Sequence, residues 1–155
     1  MPSGVPREYV NGRAVAARPV ERVVATLVDA SGRVRPAPGD LRRVLSADLA
    51  RLGGEVLGRV HVVCAELLAN AQVHGGGVAA VRVHLTADDA VCVEVDDRDP
   101  ALPAVLDFDL ERTGGRGMVL VAALSEVWGV STRSEGKTVW AVLRARPAGA
   151  GGAGV

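Results

Sequence analysis

Glu66, Asn70 and His74 recur every fourth residue in the stretch AELLANAQVH. On a helix that spacing stacks the three side chains along one side. An asparagine amide offers a neutral oxygen to a magnesium ion that also holds phosphates and waters. A glutamate one turn earlier can reach a metal-bound water or a hydroxyl as general base. A plain solvated helix face would show the same spacing. His74 can cap the helix or support a site and is given no catalytic role. Zinc is a poor fit, because HExxH is absent and neither His61 nor His84 has ligand spacing.

Two further groups invite chemistry. In VCVEVDD, counting by twos from Val91 through Val93 and Val95 puts the carboxylate of Asp97 at the end of an apolar row. If the strand has already ended there, Asp97 is a solvated turn residue beside Pro100. If it has not, an unpaired buried carboxylate is costly, and a ligand donor in a cleft between sheet and helices would satisfy it. Such a charge-assisted bond contributes about 1.5–3 kcal/mol and rejects ligands lacking the donor. In the third group, Gly114, Gly115, Arg116 and Gly117 precede an apolar helical run. Backbone N–H groups at a helix N-terminus favour phosphate, although glycines before a helix are also ordinary loop. The run matches neither GxxxxGK[ST] nor a GxGxxG between strand and helix.

These residues need elements to hold them. Asp40 is a plausible N-cap, and Leu41, Val44, Leu45, Leu49 and Leu52 follow helical spacing up to Gly53 and Gly54. A second helix is expected from about Glu55 to His74, with Val56, Val60, Val63, Leu67 and Ala71 as its apolar stripe and Gly75 to Gly77 as its stop. The runs VAAVRVHLTA and AVCVEVDD alternate as an antiparallel hairpin with one buried face. A third helix, GMVLVAALSEV, follows residues 98–116, a long connection of the kind that serves as a lid. WGVSTRS and TVWAVLRAR form a second hairpin, with its turn expected at Glu135, Gly136 and Lys137. Earlier in the chain, VERVVATLV is an extended apolar run that suits a strand. The order implies an α+β (α/β) two-layer sandwich, a mostly antiparallel sheet with helices packed on one face.

Bulk properties narrow the function. The chain of 155 residues, 48% hydrophobic, is long enough for one real core and short for two. Eighteen basic residues balance eighteen acidic ones, so no broad positive surface invites nucleic acid or anionic lipid. Cys64 and Cys92 have no metal-ligand or disulfide-framework spacing, which fits a reducing cytoplasm. Neither a signal peptide nor a membrane span is expected. Residues 1–15 and 145–155 are expected to be a loose N-terminal segment and a disordered Gly/Ala tail around a domain at 16–144.

Taken in order, ELLANAQVH, VEVDDRDPALP, GGRGMVLVAALSEVWGV and GKTVWAVL resemble the boxes of the GHKL ATP-binding superfamily of gyrase, histidine kinases and mismatch-repair ATPases. The resemblance covers about residues 40–144 and is closest to the stand-alone anti-sigma-factor serine/threonine kinases of actinobacteria. It implies the Bergerat-type ATP-binding fold, with ATP and Mg2+ as ligands. It assigns Glu66 as general base, Asn70 as magnesium ligand, Asp97 as acceptor of the adenine amino group, Gly115 and Gly117 as phosphate-loop glycines, and Thr138 as a second adenine-site contact. Arg116 is implied as a phosphate contact. The chain departs from the pattern at Asp99, where the family usually has a small residue; its charge weighs against ATP affinity. No histidine precedes His61 and no extra helical hairpin is present, so an autophosphorylating dimerisation domain is not expected.

The activity so implied is phosphorylation of a small anti-sigma-factor antagonist on serine or threonine. The alternative is a non-catalytic, ATP-gated module that sequesters a sigma factor or another regulator. A scaffold that no longer binds nucleotide is a third reading. Partners would be the antagonist, the sigma factor or both, without direct nucleic acid or membrane. A homodimer through the N-terminal segment stays open.

Overall fold

The central helix, α1 (Gly54–His74), forms where the apolar spacing predicts it. All five stripe residues, Val56, Val60, Val63, Leu67 and Ala71, are buried, and Cys64 joins them. Each such Val or Leu contributes about 1.5–3 kcal/mol through burial. By length and composition alone α1 could cross a bilayer, but here its buried stripe packs against a sheet. The computed structural model describes residues 7–10, 13–15, 23–26, 43, 45–47, 49–85, 89–100 and 116–144.

Before α1, residues 43, 45–47 and 49 are helical, and a single tight turn follows at Ala50–Leu52. Leu45 and Leu49 are fully buried in the main core, and Leu52 packs against that core. The backbone then turns through the left-handed region at Gly53 (φ 89°) and α1 starts at the next residue.

Among the described residues seven strands make that sheet: β1 (Arg7–Val10), β2 (Arg13–Val15), β3 (Val23–Thr26), β4 (Val78–Leu85), β5 (Ala90–Asp97), β6 (Val127–Arg133) and β7 (Gly136–Arg144). Their order is β2-β1-β6-β7-β5-β4-β3, and every pairing is antiparallel. The second short helix, α2 (Arg116–Leu124), packs against α1 on the helical side of the sheet. This is the expected two-layer α+β arrangement. Strand β3 falls inside VERVVATLV, as its extended character suggested. Residues 7–10 and 13–15, in the segment expected to be loose, instead form β1 and β2, with β1 pairing on β6. Residues 145–155 and 101–115, the tail and most of the presumed lid, lie outside the described residues.

The inner face holds the main core: the α1 stripe, Val81 and Val83 of β4, Val91, Val93 and Val95 of β5, Trp128 and Val130 of β6, Val139, Ala141 and Leu143 of β7, and Met118 and Val121 of α2. The outer face is also buried in the centre, although only one buried face was expected. Ala90, Cys92, Trp140 and Val142 cluster there. Beside them Arg82 bridges Asp96 with two bonds of 2.8 and 2.7 Å and reaches Glu94 at 3.1 Å. His84 Nε2 lies 2.8 Å from the same Glu94 carboxylate. Bidentate arginine is the geometry that makes buried carboxylates tolerable.

The β6–β7 turn sits one residue earlier than expected. Arg133 pairs with Gly136, so Ser134 and Glu135 alone make the turn, and Lys137 belongs to β7. That single residue decides which side chains face the helices.

Candidate functional site

Strand β5 runs on through Asp97, so its carboxylate stays in the inward row with Val91, Val93 and Val95. It is 4% exposed, which rules out a solvated turn residue. Three groups surround it. Lys137 Nζ lies 2.8 Å from Oδ2, the Asp99 backbone N–H donates to Oδ1 at 3.0 Å, and Gly75 closes the space above. A Cβ built on Gly75 would stand 2.5 Å from Oδ2. Only a glycine at the end of α1 lets the helix terminus come down on this carboxylate. A backbone bond from Arg98 N–H to Gly75 O (2.9 Å) fixes the approach.

The polar line on α1 behaves differently along its length. Glu66 and Asn70 are half-buried and His74 is exposed. The N-terminus of α2 leans on the first two: a Cβ at Gly117 would stand 2.6 Å from Glu66 Oε2 and 3.5 Å from Asn70 Oδ1. Carboxylate, amide oxygen and the first turn of a helix therefore converge. Arg116 is the first residue of α2, and Gly115 lies outside the described residues.

The structure thus brings together Glu66, Asn70 and Gly117 along the C-terminal half of α1 and sets Asp97 beneath that same end, at Gly75. Thr138 is not part of this group. It pairs with Asp96 in the β5–β7 register and donates to Asp96 Oδ1 at 2.6 Å on the outer face. The correction follows from strand alternation: Lys137 points inward with Asp97, so Thr138 must point outward. Lys137 is the residue that sequence reasoning missed. Its signal was available, since counting back by twos from Leu143, Ala141 and Val139 reaches it.

Electrostatics differ on the two faces. Burial pushes the Asp96 carboxyl up, but hydrogen bonds from Arg82 and Thr138, with the charges of Arg82 and Arg133, outweigh it and hold the group below its ordinary 3.8. Hydrogen bonds to Asp96 and Glu94, with the charges of both carboxylates, raise the Arg82 pKa against the opposing effect of its burial. Asp97 has one lysine in place of that arginine network.

The donor set fits magnesium carried by a phosphate ligand. Asn70 supplies a neutral oxygen and Glu66 an adjacent carboxylate. Among the described residues no three His, Cys, Asp or Glu side chains are gathered to hold an ion. An ion at Asn70 would therefore complete its shell from phosphate oxygens and waters, the habit of Mg2+.

Residues 28–143 match the family model described as "Histidine kinase-like ATPase domain". None of the curated proteins matches. Among solved structures, the histidine kinase domain from the Erythrobacter litoralis EL346 blue-light activated histidine kinase is similar at 23% identity and a TM-score of 0.47, covering 78% of this chain and 69% of that one. A second structure of the Erythrobacter litoralis EL346 blue-light activated histidine kinase is similar at 22% identity and a TM-score of 0.49. The match covers 69% of this chain and 40% of that one.

Proposed function

Because the chain belongs to the histidine kinase-like ATPase domain family, we propose that it is an ATP-binding regulatory serine/threonine kinase of the anti-sigma-factor type. Its protein substrate is a small anti-sigma-factor antagonist, and its place of action is the cytoplasm. The ATPase domain in this reading takes in residues 16–144, together with β1 and β2 at residues 7–10 and 13–15, which belong to its sheet. The observation that carries it is the convergence of Glu66 Oε2 and Asn70 Oδ1 on Gly117 at the start of α2. A base and a metal ligand meet there at a helix N-terminus suited to phosphate.

Asp97 accepts a hydrogen bond from the adenine amino group and fixes the base. The first-turn N–H groups of α2 hold phosphate oxygens, with Gly115 and Gly117 as the phosphate-loop glycines and Arg116 as a further contact. Asn70 would hold one position on a magnesium ion, which would supply positive charge to offset the charge that develops during phosphoryl transfer. Glu66 takes the proton from the attacking serine or threonine hydroxyl. The phosphoryl group then joins the hydroxyl oxygen, and ADP departs.

The protein partner needs a seat next to Glu66. Val62, Val119 and Leu120 (each 38% exposed) and Val73 (72% exposed) offer apolar surface on the two helices that carry the site. That surface equally suits the second reading, an ATP-gated module that holds a sigma factor without modifying it. Incubating the protein with Mg-ATP and a cognate antagonist separates the two. The kinase reading expects phosphoserine or phosphothreonine and a loss of about 10²-fold or more in Glu66→Gln. Tight nucleotide binding without transfer to any candidate partner would leave the binding module standing and remove the kinase.

A further inference from the structure

Lys137 is the only lysine of the 155 residues, and it sits in the floor of the candidate site. Its side chain is 6% exposed and lies directly across from Asp97 in the β5–β7 register. The ammonium contacts Asp97 Oδ2 at 2.8 Å and donates to the Asp99 backbone carbonyl at 2.9 Å. An ammonium has three N–H donors, and these contacts account for two. Each carboxylate oxygen of Asp97 can likewise accept a second bond. Acceptor and donor therefore stand side by side, one hydrogen-bond length apart.

That pairing has a chemical complement. On the edge of a 6-aminopurine, an amino donor adjoins an unprotonated ring nitrogen, N1, which accepts. On a 6-oxopurine both roles are reversed: the oxygen accepts and N1 carries a proton. A carboxylate alone reads only the amino group. A carboxylate with an ammonium beside it reads both atoms, and in the same pose it opposes both atoms of the oxo base. As a purely structural pair, two buried charges gain little over apolar residues of like volume.

We propose that Lys137 is a base-reading residue whose ammonium donates to N1 of the purine while Asp97 accepts from the adjacent amino group. The proposal rests on the reading that a nucleotide base lies against Asp97. It also gives Asp99 a role: its backbone N–H donates to Asp97 and its carbonyl accepts from Lys137, which keeps the two side by side.

The test compares binding of Mg-ATP, Mg-1-deaza-ATP, which has C–H in place of N1, and Mg-ITP to the full chain by calorimetry. The expected result is binding of 1-deaza-ATP about tenfold or more weaker than ATP, and of ITP weaker still. In Lys137→Met, ATP should fall to the level of 1-deaza-ATP and the ratio should approach one. Because that variant leaves a buried carboxylate unpaired, a second readout uses wild-type protein labelled with 15N at lysine Nζ, which yields one ammonium signal. ATP should shift it strongly and 1-deaza-ATP should not. Equal affinities in the wild type, an unchanged ratio in Lys137→Met, or an Nζ signal indifferent to N1 would each overturn the role of Lys137 while leaving ATP binding intact. Absence of binding by ATP itself would overturn the nucleotide reading and this inference with it.

Discussion

The same substitution at two glycines should give opposite results, because the atoms it meets are held differently. A Cβ at Gly75 would stand 2.5, 2.6 and 2.7 Å from Oδ2, Cγ and Cβ of Asp97. That side chain is buried and tied to Lys137 and Asp99, so it has nowhere to go. Overpacking costs about 1–3 kcal/mol, and loosening a buried ion pair adds to it. Gly75→Ala should therefore lose roughly 2–4 kcal/mol. A melting point falling about 2–4 °C per kcal/mol then drops by roughly 5–15 °C. At Gly117 the near atom, 2.6 Å away, is Glu66 Oε2, the far end of a flexible half-buried side chain. Swinging it aside costs about 0.5–1.5 kcal/mol, offset by up to about 1 kcal/mol gained by alanine over glycine in a helix. Stability should stay within about 1 kcal/mol of wild type, while a displaced base lowers phosphoryl transfer by about 10²-fold. Differential scanning calorimetry and a transfer assay on both variants decide the matter. A Gly117→Ala melting point that falls as far as that of Gly75→Ala would refute the reasoning, as would a Gly75→Ala protein as stable as wild type.

Three other outcomes follow from the outer face, the helix ends and the core. Asp96 is held below 3.8 in the folded state, so its stabilisation is complete above that value and disappears as pH falls through the folded pKa. Thr138→Val should cost about 1.5–3 kcal/mol at neutral pH in urea melts, a difference that shrinks in acid, and should leave nucleotide affinity unchanged. Arg59 donates to Leu124 O at 3.2 Å and Arg144 O at 2.5 Å, clipping α1 to the ends of α2 and β7. Arg59→Ala should cost about 2 kcal/mol, read from the urea midpoint. Burial pushes the Cys64 thiol up to about 12, so alkylation of Cys64 at neutral pH should proceed only as fast as the protein opens. Prompt labelling under native conditions would contradict its position in the core.

How far the sequence revealed this site depends on how local each determinant is. Helix α1 was legible because its periodicity runs unbroken over 21 residues, and all five predicted stripe positions are buried. The inward direction of Asp97 was legible from alternation along its own strand. Strands β1 and β2, of four and three residues, are too short for a periodic signal and join the sheet only because β1 pairs with the distant β6 and β2 with β1. The Arg82–Asp96–Glu94 network was hidden for a related reason. Alternation shows those charges facing outward, where solvation is the ordinary fate, and only the β4–β5 register brings them together.

The β6–β7 turn shows how a small ambiguity reverses a chemical assignment. Ser134, Glu135, Gly136 and Lys137 all suit a turn by residue type, so composition cannot choose between a turn at 135–137 and one at 134–135. Side-chain direction in a strand has period two, so placing the turn at 135–137 leaves Lys137 out of the strand, and the adenine-site contact was then Thr138, the residue that the family resemblance implied. In the observed register Thr138 serves Asp96 and Lys137 serves Asp97. Alternation counted inward from Leu143, Ala141 and Val139 carried the correct parity, because those residues are committed to the core and the turn is not. Where the two signals disagree, the buried row should decide the register, and a charged residue that then falls on it marks where a ligand or a partner charge must be sought.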